Sequence, residues 1–334
     1  VAAPVQYWRW LTGLLSGDAG VSLANKKPIL PQVMPRVANS FTLLVITVLV
    51  AVPLAIAAGV LAAFRKDSGS DAAMTVAALF ASHTPLMDYH APAPEVASEV
   101  AACLATTRAW VAAYQPDLVI ACGPDHYNGF FYRLMPSFCI GTAAESVGDW
   151  NTPAGPLPVA TELAERCVEH VHAAGVDAAI SYHMEVDHGV TQLMKQMFEW
   201  ASMPSIIPVF VNCAAAPRPP LARVMAFGRA IGAFAAELDC RVLLTASGGI
   251  SHDPPIPTLA GAPAPVRERL IMGGALSAEA RAARQERVLS DASRQVSGDS
   301  ERTPLNPEWD QAFLDHLRDD DEAAILAMDD DSIT

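Results

Sequence analysis

Four strand-like apolar runs in the later part of the chain each end within a few residues of a histidine, which restricts the fold to a sheet whose strands share one functional edge. Val76 to Ala81 leads to His83, Leu118 to Cys122 to His126, Ala178 to Ser181 to His183 and His188, and Val242 to Thr245 to His252. Ile206 to Val211 is a fifth run. Between the runs the spacing predicts helices over Glu95 to Ala113, over Val159 to Ala174 with Gly175 as its stop, and over Leu221 to Leu238. Strands that alternate with helices imply an α/β fold with a mixed or largely parallel sheet flanked by helices. Ligands of such sheets bind outside the carboxyl ends of the strands, so the active site is expected there. Imidazoles that converge on that edge hold a metal, move a proton, or both.

The chain is acidic, with 22 Lys plus Arg against 36 Asp plus Glu and a net charge of −14. No basic cluster is dense enough to follow a phosphate backbone, which excludes nucleic acid as a partner class. At 334 residues and 51% hydrophobic content there is material for a large core. Six cysteines are widely spaced without a C-x-x-C pair, a usage that suits a reducing compartment.

The first 72 residues differ in character from the rest. Ala38 to Phe64 carries no charged residue, and Phe41 to Phe64 exceeds the ~20 residues that cross a bilayer, so a transmembrane helix is predicted over 41–64. Pro53 and Gly59 are tolerated in such a helix. Upstream lie Tyr7-Trp8-Arg9-Trp10-Leu11, Gly13-Leu14-Leu15-Ser16-Gly17-Asp18 and Pro35-Arg36-Val37-Ala38-Asn39-Ser40. Over about residues 5 to 72 this order resembles the membrane permease subunit of dipeptide/oligopeptide ABC transporters, although a single span does not imply transport. In that pattern the flank holding Arg65 and Lys66 is cytoplasmic, which implies a cytoplasmic catalytic domain anchored to the membrane by its N-terminal segment. The expected division is therefore 1–72 and 73–334, with Ser68-Gly69-Ser70-Asp71 as linker. Met74 reads as the natural start of an independent enzyme, and the upstream piece as a fusion or a misjoined frame.

Four motifs carry the chemistry of the second part: Ser82-His83-Thr84-Pro85, Gly123-Pro124-Asp125-His126-Tyr127-Asn128-Gly129-Phe130-Phe131, Val186-Asp187-His188-Gly189 and Ser247-Gly248-Gly249-Ile250-Ser251-His252. With Leu305-Asn306-Pro307-Glu308-Trp309-Asp310 near the end, the set resembles the class III extradiol ring-cleavage dioxygenases, the LigB-type superfamily, from about Met74 to Thr334. Members of that family continue past the point where this chain stops, so a truncated C-terminus is expected.

The resemblance implies an Fe(II) site with His83, His126 and Glu308 as ligands, and with Asp310 as the alternative carboxylate. Two imidazoles and one carboxylate on one face of Fe(II) leave positions open for substrate and O₂. Glu308 is equally suited to the first turn of a helix, where the macrodipole favours acids. The resemblance further implies His188 as proton donor and His252 as proton acceptor, both suited by an ordinary pKa near 6.5. Gly248-Gly249 either aims His252 into the pocket or forms a simple turn. His183 is not required by the family pattern. Asp125 and Asp187 orient a neighbouring ring or cap a turn, and Tyr127, Phe130 and Phe131 wall a pocket or pack in the core.

The implied reaction is meta cleavage of a catechol with O₂, on 3-(2,3-dihydroxyphenyl)propanoate or 2,3-dihydroxycinnamate, to a 2-hydroxy-6-oxo-dienedioate in aromatic catabolism. A homo-oligomer is expected. The residues leave two rivals open: a metal-dependent hydrolase with zinc on the same histidines, and a membrane-transport fragment fused to a passenger domain.

Overall fold

The computed structural model describes residues 3–22, 28–30, 34, 75–89, 91–251, 253, 255–274, 276–300 and 302–328. The predicted span at 41–64, Met74 and His252 lie outside them. The chain divides into two compact units, Val1–Asp71 and Ala72–Thr334.

In the first unit, α1 (Ala3–Leu15) exposes Tyr7, Trp8 and Trp10 and is followed by Gly17 at φ +89°. Among the described residues no helix is long and apolar enough to cross a membrane.

The second unit is built on a six-stranded sheet. Its strands are β1 (Val76–Ala81), β2 (Leu118–Gly123), β3 (Phe138–Gly141), β6 (Ala179–Ser181), β8 (Ser205–Val211) and β9 (Val242–Ser247), in the order β1-β9-β2-β8-β3-β6. All neighbours are parallel except β3 and β8, so the sheet is mixed. A smaller sheet joins β4 (Ala144–Val147), β5 (Ala154–Pro156) and β7 (Met184–Val186) in the order β5-β4-β7.

The central strands read as unbroken apolar runs because both of their faces are covered. Leu118 and Ile120 of β2 and Ile207 and Val209 of β8 share one cluster with α3 (Thr161–Ala173) and α5 (Leu221–Ala236), through Val168, Val171, Phe227 and Ile231. Val119, Ala121, Ile206 and Phe210 face the opposite side. There they meet α2 (Pro94–Tyr114) through Val111, and α4 (His188–Met197) through Val190, Leu193 and Met194. The period of two along each strand thus feeds two cores rather than one core and solvent.

The helices α6 (Ala264–Met272), α7 (Ala278–Ser297), α8 (Pro307–Arg318) and α9 (Glu322–Ala327) follow the last strand. Register puts the carboxyl ends of β1, β9, β2 and β8 at one edge, with Ala81 opposite Ser247, Cys122 opposite Ala246 and Gly123 opposite Phe210. His83 and His126 leave the sheet at that edge. The third histidine strand differs from expectation: β6 ends at Ser181, and His188 instead opens α4 after the short strand β7.

Backbone approaches backbone where α4 meets the end of β2. A Cβ on Gly123 would lie 2.6 Å from Gly189 O and 2.8 Å from Val190 Cγ2, so only glycine lets the two histidine-bearing segments come this close. Gly228 on α5 has nothing within 4 Å of such a Cβ. Gly123→Ala should therefore destabilise the protein by about 1–3 kcal/mol, whereas Gly228→Ala should stabilise it by about 0.5–1 kcal/mol. Urea unfolding midpoints check this, and equal shifts in the two variants would contradict the close approach.

Candidate metal centre and acid–base site

The site grows from one buried carboxylate. Asp187 is fully buried and caps α4, its Oδ1 accepting from Gly189 N–H at 2.8 Å. Its Oδ2 accepts from the main-chain N–H of His126 at 2.8 Å, from the His126 ring at Nδ1 at 3.1 Å and from Asn128 Nδ2 at 2.8 Å. One side chain therefore fixes both the helix that begins with His188 and the loop that carries His126.

Each of three histidine rings is anchored through Nδ1. His126 uses Asp187; His188 uses Asp149 Oδ2 at 2.7 Å; His83 meets Ser247 Oγ at 3.1 Å. Ser247 Oγ–H in turn donates to Gly189 O, so its oxygen accepts from His83 Nδ1–H. With Nδ1 the donor in all three rings, the lone pair of each neutral imidazole resides on Nε2, the arrangement by which an outer hydrogen bond orients a metal-binding histidine.

The ring centroids lie 5.3 Å apart for His83 and His126, 5.5 Å for His83 and His188, and 4.3 Å for His126 and His188. Ligand-capable atoms of the three residues all fall within 4.8 Å of one another, so the donor set fits a transition-metal ion that favours imidazole.

Three buried carboxylates surround the cluster: Asp125, Asp149 and Asp187. Burial works against an ionised Asp187, but the neighbouring His126 and His188 rings and its hydrogen bonds hold it well below the usual carboxylate range. Asp125 goes the other way, because burial and the nearby Asp187 charge outweigh three amide donors from Asn128, Gly129 and Phe130. Burial alone would lower His188, yet the Asp187 and Asp149 carboxylates outweigh it and raise its pKa above the ordinary value. Asp149 grips His188 twice, since its Oδ1 also accepts the His188 main-chain N–H at 2.9 Å.

Of the residues expected from sequence, the structure brings together His83, His126 and His188. His252 lies outside the described residues. Glu308 is not brought to the cluster: it is exposed in the first turn of α8, where Asn306 caps the helix and the macrodipole favours an acid, and it belongs to neither metal-capable group among the described residues. Asp310 accepts from Ser251 N–H at 2.8 Å and so fastens the loop that leads to position 252. His183 is exposed and faces Glu145 at 3.7 Å. Phe130 stacks on Phe210 at 3.9 Å and belongs to the core.

Sequence reasoning missed Asp149 and the role of Ser247. Asp149 stands in a Gly-Asp-Trp-Asn turn that marks only a loop, and its link to His188 spans 39 positions. Ser247 lay inside a noted motif, but nothing local pairs it with His83.

The sequence model of the family described as "Catalytic LigB subunit of aromatic ring-opening dioxygenase" matches residues 77–334. A Mycolicibacterium smegmatis protein named 2,3-dihydroxyphenylpropionate/2,3-dihydroxicinnamic acid 1,2-dioxygenase is 46% identical over 242 residues, 72% of this chain and 77% of that protein. Proteins of the same name from Mycolicibacterium vanbaalenii and Cupriavidus pinatubonensis are each 48% identical, covering 71% and 76% of this chain and 75% and 81% of their own length. These comparisons lend no support to the permease-like reading of residues 5 to 72.

Removing the Asp149 charge leaves burial as the larger influence on His188. In the metal-free protein, an NMR titration should place the His188 ring above the ordinary imidazole value of 6.5 in the wild type and lower in Asp149→Asn. An unchanged midpoint would contradict the assigned contact.

Proposed function

The chain belongs to the family of the catalytic LigB subunit of aromatic ring-opening dioxygenases, and from that premise we propose that it cleaves 3-(2,3-dihydroxyphenyl)propanoate or 2,3-dihydroxycinnamate beside the two hydroxyls, with O₂, at an Fe(II) centre. The observation that carries this reading is the set of three imidazoles at the carboxyl edge of the sheet, each held by Nδ1 and gathered within 4.8 Å. Fe(II) held by these residues would bind the catechol and O₂ and let electrons pass between them.

His83 and His126 are the proposed protein ligands. Ser247 and Asp187 accept hydrogen bonds from their Nδ1–H groups, which leaves Nε2 as the binding atom and raises its basicity. Glu308 is not included in this set because of its exposed position on α8. His188 is the proposed proton donor. Asp149 and Asp187 favour a proton on its ring, and the double grip of Asp149 keeps that ring from turning away. His252 is the proposed acceptor of a catechol proton. The product expected from cleavage at that position is a yellow 2-hydroxy-6-oxo-dienedioate.

Anaerobic reconstitution with Fe(II), followed by the dihydroxyphenyl acid and air, should yield the yellow product. Activity with zinc in the absence of O₂ would indicate hydrolysis instead. His83→Ala and His126→Ala should lose iron together with activity, since each removes a proposed ligand. His188→Gln should keep its iron and lose about 10²-fold in turnover. Near-stoichiometric iron in both alanine variants would remove these residues from the ligand set.

A further inference from the structure

We propose that Arg281 and Arg284, one turn apart on α7, bind the side-chain carboxylate of the substrate; the inference rests on the catechol-cleavage reading. The need for such a group is electrostatic. An aromatic acid must approach a centre bordered by the buried carboxylates of Asp125, Asp149 and Asp187, in a chain of net charge −14. At short range in a partly dry site the Asp187 and Asp149 carboxylates repel an anion unless a cation stands beside it, whereas Asp125 has its pKa raised and adds less.

Residues three apart share a helix face, so α7 presents both guanidinium groups together. Arg284 donates to His126 O at 2.6 Å and to Asn128 Oδ1 at 3.4 Å. Arg281 donates to Val147 O at 3.4 Å, at the end of β4 and two positions before Asp149. The pair thus bridges the loop that carries His126 and the turn that holds His188.

Beside Arg281, the residues Leu276, Ala282 and Gln285 complete the lining of a largely open surface depression. A guanidinium offers five N–H donors in a planar fork that matches a carboxylate. Arg281 commits one of them, through a long bond, to Val147. Arg269, the other cation at this loop, is turned to Tyr127 O at 3.0 Å and lies over the Phe131 ring at 5.6 Å, which gives it a structural task.

The test compares two catechols on the full-length, Fe(II)-loaded protein: 3-(2,3-dihydroxyphenyl)propanoate and 3-propylcatechol, which has a chain of the same length and no charge. The ratio of their kcat/KM values is read for the wild type, for Arg281→Gln and Arg284→Gln, and for the two Arg→Lys variants. In at least one Gln variant the preference for the acid should fall by roughly 10- to 100-fold, the scale of a lost charge-assisted pair. The fall should appear in KM. The corresponding Lys variant should keep part of the preference; it also serves as the readout if a Gln variant does not fold. A ratio unchanged from wild type in all folded variants overturns the proposal. A wild-type protein that cleaves neither catechol overturns the cleavage reading itself, and this inference with it.

Discussion

The site depends on one carboxylate. Asp187 is the cap of α4, the acceptor for the His126 main chain and ring, and the anchor of Asn128. A buried acid is costly unless its oxygens are satisfied, and here each oxygen accepts hydrogen bonds from a different segment. The same contacts that offset its burial tie the loop after β2 to the helix after β7. Gly123 and Gly189 let those segments touch at the backbone, where any side chain would hold them apart. Scaffold and chemistry are therefore a single arrangement, because the groups that hold the fold together at this edge are the groups that aim the imidazoles.

Charge is distributed with the same economy. Three buried acids border the histidines, and their positions divide the work. Asp187, ionised, orients the His126 ring; Asp149 favours a proton on His188; Asp125, with its pKa raised, gathers three amides and shapes the turn at Asn128 to Phe130. The turn that carries Asp149 holds Trp150 at φ +49° and Asn151 at φ +60°. Such left-handed backbone is unfavourable for a bulky residue, and here it accompanies the reach of Asp149 into the site.

Much of this was legible in the sequence where the physics is local. The runs at β1, β2, β8 and β9 and the stretches at α2, α3 and α5 match the expected segments within a few residues, because the buried strands β2 and β8 and the amphipathic helix α3 leave plain patterns, while β1 and α2 are bounded by turn residues. His83, His126 and His188 were identified by motif, and they do meet. Other features were not legible. Strands β4, β5 and β7 have three or four residues each, too short for a period to register. The partnership of Asp149 with His188, and of Arg284 with the His126 loop 158 positions away, depends on tertiary contact alone. Glu308 carried a motif that suited two roles, and its observed place is that of a first-turn helix acid.

The central claim is that this imidazole cluster supports insertion of molecular oxygen into an aromatic ring. Its most direct test is cleavage of 3-(2,3-dihydroxyphenyl)propanoate by the Fe(II)-loaded protein under ¹⁸O₂, with the product analysed at once by mass spectrometry. The account predicts uptake of one O₂ per ring opened and ¹⁸O at both newly oxygenated carbons, less what exchanges with water. A product whose new oxygen comes only from water, formed without consumption of O₂, would contradict it.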